Sequence, residues 1–574
     1  KLRHAALTQP ELTKDSPEFS ISITADEDNA TITISDNGIG MNKEDLKENL
    51  GTIARSGTAR FVEEMQGAQA DLSLIGQFGV GFYSAFMIAD DVTVCSQRAG
   101  DDQAWLWSSN GLGSYTLSEG EREGRGTTVT LHVKDDAKEY LDPKTLSAIV
   151  KRYSDHITIP ITLKAGDEEP VTPNTRAALW TRPKSEITED QYAEFYRHSA
   201  GAFDNPKRII HFRAEGRIEY TALLFVPEAP PFDLFDPARE SKVKLYVKRV
   251  FITDKVDDLI PGYLRFLRGI VDAQDLPLNI SREMLQNNPV VGTMRKAITN
   301  RVIADLIKFS KDDKSDYELF WNNYGKVLKE GIYEDGERRE DLLKLARFHS
   351  TQSDDLISLE DYIGRMKDGQ EAIYTISGDN LRSVKASPQL EGFKAQGIEV
   401  LLLTDPVDDF WLSAAPEFDG KAFKSVTKGA SDLKSFNNEI DAEKTEDDDE
   451  TKALFAIMKT ARGEAVSDIR SSDRLTASAV CLVAEESGME RHIERMLKAH
   501  DRIGELAPRV LEVNPNHSLI RSLKAKAQNS EDLPFLQDAA HLLLDQARVM
   551  EGEGVVDTKS FATRLADLMV KAIS

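Results

Sequence analysis

Cysteine is almost missing from this 574-residue chain: Cys95 and Cys481 stand far apart, with no C-x-x-C spacing. That excludes a disulfide framework and a zinc knuckle, and it suits a reducing compartment. No run of about 18 apolar residues is present, so no membrane-spanning helix and no membrane partner are expected. Nor does a charged, apolar, small-residue leader open the chain, which makes a cytoplasmic location the expectation. Positive charge is short as well: 72 Lys and Arg against 97 Asp and Glu leave a net charge of -25. Such a field repels phosphate backbones at long range and argues against nucleic acid as the main partner. The sequence G-x-x-x-x-G-K-[ST] is also absent, so any phosphate site here is not a P-loop.

What is present is enough chain for several domains, because single cores stop growing near roughly 250–300 residues. Residues 1–168 alternate strand and helix patterns. Thr31–Ile34 and Thr128–Val133 have the period of two that a half-buried strand needs. The charge and proline around residues 167–173 mark a linker. A second α/β domain is expected over 176–438, with a strand at Lys242–Val247 and a helix near Val302–Phe309. The like-charge block Asp441–Glu450 reads as a further loop or linker. From 451 to 574 helical periodicity dominates, ending in segments Leu536–Met550 and Thr558–Ile573. In the last, Phe561, Leu565, Leu568 and Met569 share one face. That stripe packs either within its own domain or in a two-fold bundle between subunits. The first residue is Lys1, and Lys1–Leu7 reads as the tail of a helix already under way, so a start cut short is expected.

The first segment with chemistry in it is Asp36–Met41 (DNGIGM). Asn-Gly after an alternating strand is a hairpin signal. The next residues carry a helical pattern instead: Asn42 can cap, Asp45 suits the first turn, and Leu46, Leu50 and Ile53 recur at helical spacing. The glycines then lie between a strand and a helix, where a ligand can approach the backbone, and Asp36 offers an acceptor for an exocyclic amine such as that of adenine. On spacing alone the simple turn remains the stronger reading. Asn49–Thr58 (NLGTIARSGT) has the composition of a mobile hinge. Gly76–Ser84 (GQFGVGFYS) leads into an apolar run, so its N–H groups can converge on phosphate.

Taken in order, DNGIGM, NLGTIARSGT, GQFGVGFYS and Gly126-Thr127 resemble the ATP-binding fold shared by heat-shock chaperones, gyrase, mismatch-repair ATPases and sensor kinases. The second and third segments are similar to the ninety-kilodalton heat-shock protein family in particular. The resemblance implies a multidomain α/β chain: an N-terminal two-layer α/β sandwich of the gyrase, heat-shock, histidine-kinase and MutL type, an α/β middle domain, and a mainly helical C-terminal dimerisation domain. It implies ATP with Mg2+ as cofactors. Asp36 would bond the adenine amine, with Gly38, Gly40 and Thr127 in support and Met41 lining the base pocket. Asn49, Leu50, Arg55, Gly79, Val80, Gly81 and Phe82 would contact sugar and phosphates, Arg55 standing where the family more often has lysine. The family's water-activating glutamate and Mg2+-holding asparagine would precede Lys1. This chain is thereby expected to bind ATP weakly and hydrolyse it poorly, with no metal ligand of its own.

Asp275–Gln286 (DLPLNISREMLQ) read by itself gives a helix start at Ser281 and a surface ion pair at Arg282 worth under about 1 kcal/mol. It also resembles the family's catalytic loop, which implies that Arg282 stabilises the transferring phosphate, with Gln286 and Asn279 supporting the loop. Segments Leu179–Arg182, Lys184–Thr188, Phe232–Phe235, Val247–Ile252 and Val400–Asp405 resemble family stretches in order, and the absence of a long charged linker points to the family's bacterial form. Met489, Ile493 and Met496 lie on an amphipathic stripe whose usual fate is core packing; the resemblance implies a client-binding helix there. The expected activity is that of an ATP-driven homodimeric clamp joined through its C-terminal helices and acting on client proteins. The alternative is an ATP-independent holdase. A mismatch-repair or sensor-kinase ATPase is opposed by the net acidity and by the Arg282 loop.

Overall fold

The computed structural model describes residues 1–574 except 53–80, 167–168, 217, 239, 257–258, 275, 277–287, 429–432, 434–446, 485–493, 495–506, 530–531 and 574. The chain divides into two compact units, Lys1–Val302 and Ile303–Ser574.

The first unit opens with a seven-stranded sheet in the order β5-β4-β3-β6-β2-β1-β7. Its strands are β1 (Ile21–Asp26), β2 (Thr31–Asp36), β3 (Ala89–Gln97), β4 (Ala104–Ser109), β5 (Thr116–Gly120), β6 (Gly126–Val133) and β7 (Ile161–Ala165). All neighbours are antiparallel except β1 and β7. One face is covered by helices Lys43–Leu50 and Pro143–Ser154, whose Leu46, Leu50, Leu146 and Val150 join Ile32, Val92, Val94 and Leu131 in one core. This is the expected two-layer sandwich. Each such side chain withdrawn from water contributes about 1.5–3 kcal/mol. The helix start at Asn42 is fixed by its neighbours: its side chain accepts the Asp45 N–H while Asp45 reaches back to the Asn42 N–H, a closed capping box.

A second sheet in this unit runs β11-β10-β12-β9-β8, with β8 (Pro206–Ala214), β9 (Tyr220–Pro227), β10 (Lys242–Val247), β11 (Val250–Thr253) and β12 (Arg268–Ala273). Strands β10 and β11 are joined by only Lys248 and Arg249, both left-handed, with φ of 51° and 67°. A two-residue turn that matches strand twist demands that conformation, and a side chain bearing a Cβ meets it at a cost of roughly 1–2 kcal/mol per residue.

The second unit contains a five-stranded sheet, β13-β15-β14-β17-β16, built from His349–Ser350, Ala372–Ser377, Val400–Leu403, Glu417–Phe418 and Lys421–Ser425 in chain order. Beside it, helix Lys314–Glu334 sends Lys329 into the interior, where Nζ lies 2.9 Å from Asp405 and 2.8 Å from Asp408. Toward the C-terminus the structure is mainly helical, as expected, and also contains a sheet that the sequence did not indicate. A three-stranded sheet, β18-β20-β19, is formed by Val466–Ser471, Val480–Val483 and Arg509–Val513. The strands are short, and β19 and β20 are buried throughout, so their period-two signal is lost. Helices Asp449–Arg462 and Leu533–Met550 pack on them. The acidic block read as a linker also ends earlier than expected: Asp448 caps a helix by accepting the Thr451 N–H, with Asp449 and Glu450 in its first turn. Carboxylates there complement the helix dipole. Helix Thr558–Ile573 closes the chain as expected.

Candidate nucleotide site

Strand register assembles the pocket floor. Asp36 on β2 stands opposite Thr127 on β6, and Thr127 stands opposite Ser96 on β3, so three polar residues form one row across adjacent strands. Ser96 is fully buried, and its hydroxyl is saturated. It accepts the Met41 N–H at 2.8 Å, donates to the Gly126 carbonyl at 3.0 Å, and lies 2.9 Å from Thr127 Oγ1. With its one proton given to Gly126, Ser96 accepts from Thr127, so the Thr127 hydroxyl keeps its own lone pairs for an incoming donor.

The half-buried Asp36 accepts the Gly38 N–H at 2.7 Å. Burial pushes its carboxyl above the ordinary range, and the Gly38 N–H, the Arg122 guanidinium and the Thr127 N–H only partly oppose this. A carboxylate held this way gains most from a further donor, as an amine of a purine would supply. Two glycines permit the close packing around it. A Cβ on Gly40, where φ is 66°, would stand 1.8 Å from the Gln97 carbonyl oxygen; one on Gly126 would stand 2.0 Å from that of Asp36. No other residue fits at either position.

The helix Lys43–Leu50 is tied to the turn at the end of the glycine-rich segment, since Tyr83 donates its hydroxyl to the Leu50 carbonyl at 2.9 Å. That turn, Gly81–Met87, also brings Phe82 edge-on to Trp107, with ring centroids 5.5 Å apart. Met41 and Phe82 both pack against the core of this unit. The structure therefore brings Asp36, Gly38, Gly40, Met41 and Thr127 together around one floor, with Leu50, Gly81 and Phe82 joined through Tyr83. Asn49 lies one position before Leu50 on the same helix, half-buried. Arg55, Gly79, Val80, Asn279, Arg282, Gln286, Met489, Ile493 and Met496 lie outside the described residues.

Two residues of the site escape the motifs. Ser96 carries the hydroxyl node beneath Thr127; its signal was a lone hydroxyl at the inward parity of β3, where Val92 and Val94 are also buried. Arg122 donates to the Asp36 carbonyl oxygen at 2.6 Å and to Ser35 Oγ at 3.3 Å, clamping the end of β2. Nothing in its turn-like surroundings sets it apart from a surface arginine. Among the described residues no group of three or more His, Cys, Asp or Glu side chains could hold a metal ion.

This sheet, its covering helices and the glycine-bounded carboxylate define the class of ATP-binding sandwich, and residues 12–118 match the family described as "Histidine kinase-, DNA gyrase B-, and HSP90-like ATPase". Residues 167–574 match the family described as "Hsp90 protein". The chain belongs to the Hsp90 family. It is similar to "Chaperone protein HtpG" of Paramagnetospirillum magneticum, 52% identical over all of this chain and 93% of the relative. It resembles the protein of the same name from Rhodospirillum rubrum equally, 52% identical over 100% of this chain and 93% of that one. That of Mesorhizobium japonicum is 52% identical over 100% of this chain and 92% of its own length.

Proposed function

We propose that this chain is an ATP-dependent molecular chaperone, a homodimeric clamp of the cytoplasm whose nucleotide cycle opens and closes it on client proteins. The observation that carries the reading is the carboxylate of Asp36, held half-buried between strands that glycine alone allows to approach so closely. Family membership and the name shared by the relatives support it.

In this reading Asp36 orients the base, Thr127 assists through its free lone pairs, and the Gly79–Phe82 segment, Asn49 and Arg55 meet sugar and phosphates. Arg282 stabilises charge on the transferring phosphate, with Gln286 holding the loop. The working modules are 1–168 for nucleotide, 176–438 for the catalytic loop and 451–574 for dimerisation, with Met489, Ile493 and Met496 contacting clients. Helix Thr558–Ile573 supports the dimer: its Leu565, Met569 and Ile573 are exposed, an apolar face that suits a second copy of the chain. No helix among the described residues is long and apolar enough to cross a membrane.

The test is calorimetric titration of Mg-ATP into the chain and its Asp36→Asn variant, beside an assay of aggregation suppression for a heat-labile enzyme with and without ATP. A charge-assisted hydrogen bond exchanged for a mismatched amide should weaken binding by roughly tenfold to a hundredfold. Equal affinity in the two proteins would remove the nucleotide from this pocket, and suppression indifferent to ATP would reduce the proposal to a passive binder.

A further inference from the structure

The unit Lys1–Val302 holds a second concavity, of about 810 Å3, with a lining separate from the nucleotide pocket. Its size is that of a site for a small organic ligand. Six cationic side chains line it, Arg3, Arg182, Lys184, Arg213, Lys248 and Arg249, against one carboxylate, Glu219. In a chain of net charge -25 this runs opposite to the average surface.

The cations come from four separate segments, and a buried carboxylate fixes two of these. Asp272 is fully buried; its Oδ2 accepts the Trp180 indole N–H at 2.7 Å, and its Oδ1 accepts the Arg249 backbone N–H at 3.1 Å. The turn bearing Lys248 and Arg249 is thus locked to the segment that carries Arg182. Both hydrogen bonds occupy the Asp272 carboxylate from within the fold. Glu219 and Glu215 lie 3.5 Å and 3.6 Å from Arg213, but all three side chains are well exposed, and such pairs exchange readily for a better anion. The β10–β11 turn adds an independent sign. It places lysine and arginine where the left-handed backbone favours asparagine and glycine, so the fold keeps two cations at this mouth at the expense of local strain.

We propose that this pocket binds an oligophosphate-bearing small molecule, through Arg182, Lys184, Arg213, Lys248 and Arg249, at a site independent of Asp36. Guanidinium forks match phosphate oxygens in pairs, and lysines add point charge. Cations from several segments around one concavity suit a compact, multiply charged ligand, whereas an acidic peptide needs them spaced along a groove. The focused positive field would also draw such an anion in from solution against the overall charge.

The probe is inorganic tripolyphosphate, titrated calorimetrically into the whole chain at low ionic strength. One binding event is expected, unchanged in Asp36→Asn. The paired variant Arg182→Glu with Lys184→Glu changes two exposed side chains and should weaken binding by roughly tenfold or more with an unaltered melting temperature. The pair Lys248→Asn with Arg249→Gly relieves the turn. It should therefore melt higher while binding tripolyphosphate more weakly, a combination that damage to the fold does not produce. Affinity unchanged in both paired variants would overturn the assignment. So would loss of binding in Asp36→Asn, or tighter binding of an oligo-aspartate peptide than of tripolyphosphate.

Discussion

Asp36 in the first unit and Asp405 in the second are both drawn partly out of water, and their carboxyl groups move in opposite directions. Burial raises Asp36, and its opponents are two backbone N–H groups and the Arg122 guanidinium, which do not reverse the shift. Burial also acts to raise Asp405, but the adjoining ammonium of Lys329, with Lys326 behind it, overcomes this and leaves the carboxyl lowered. For Lys329 burial alone would depress the ammonium; Asp408 and Asp405 together hold it raised. The same loss of solvent thus accompanies a proposed binding group in one place and a structural group in the other. What decides is whether the fold itself supplies the counter-charge.

The comparison breaks most sharply at Lys329. Lys329→Met leaves Asp408, 1% exposed, with only the Trp411 indole and the Asp405 N–H as partners. The loss expected for a broken buried pair is about 3–5 kcal/mol. Amide hydrogen exchange should show it as faster exchange across Val400–Leu403 and Asp408–Ala414, with the first unit unaffected. Retained protection there would mean that the triad is neutral to folding.

Ser96→Ala is the next largest. It strands the Met41 N–H and removes the fixed donor relation of Thr127, for a cost of about 1–3 kcal/mol confined to the first unit. ATP affinity should fall with it, because the Thr127 hydroxyl becomes free to rotate. Undiminished affinity would show that Thr127 needs no such anchor.

Asp36→Asn should have the smallest effect on folding, and of the opposite sign. A carboxyl whose folded value is raised contributes stability that is fully present below its ordinary value of 3.8 and lost as pH rises through the folded value. At neutral pH the ionised group therefore opposes folding, and the amide should melt slightly higher in the absence of nucleotide even as it loses ATP. For Asp405 the sign reverses: its contribution is present above 3.8 and disappears as pH falls through the lowered folded value. Acidification from about pH 6 toward pH 3 should thus erase the stability advantage of Asp36→Asn over the parent chain. Only at the acid end of that range, below 3.8, should the second unit begin to weaken. An advantage of Asp36→Asn that does not change with pH would contradict the raised carboxyl.

Much of the first unit was legible in its residues because the signals there are local. The Asn42 and Asp45 capping box needs only a three-residue spacing, and the alternation in Thr31–Ile34 needs only a strand with one wet face. The two last helices were legible for the same reason, their apolar positions recurring every three or four residues. Ser96 belongs to the pocket through strand pairing and Arg122 through side-chain hydrogen bonds to the end of β2, both across long stretches of chain that no local pattern encodes. The small C-terminal sheet failed to declare itself because β20 buries Arg509 and Glu512 among valines and leucine, so charge and exposure cease to track each other. The triad at Lys329 was hidden likewise, a lysine on a helix being read as a solvated residue unless its partners are known.

Gly40 and Gly126 each hold a neighbouring carbonyl where a side chain would otherwise stand. No codon change at either could be accommodated without forcing that carbonyl, and the strand that carries it, out of place. Sequence drift in this part of the molecule would therefore have to fall on the surrounding rim, with the two glycines as its fixed points.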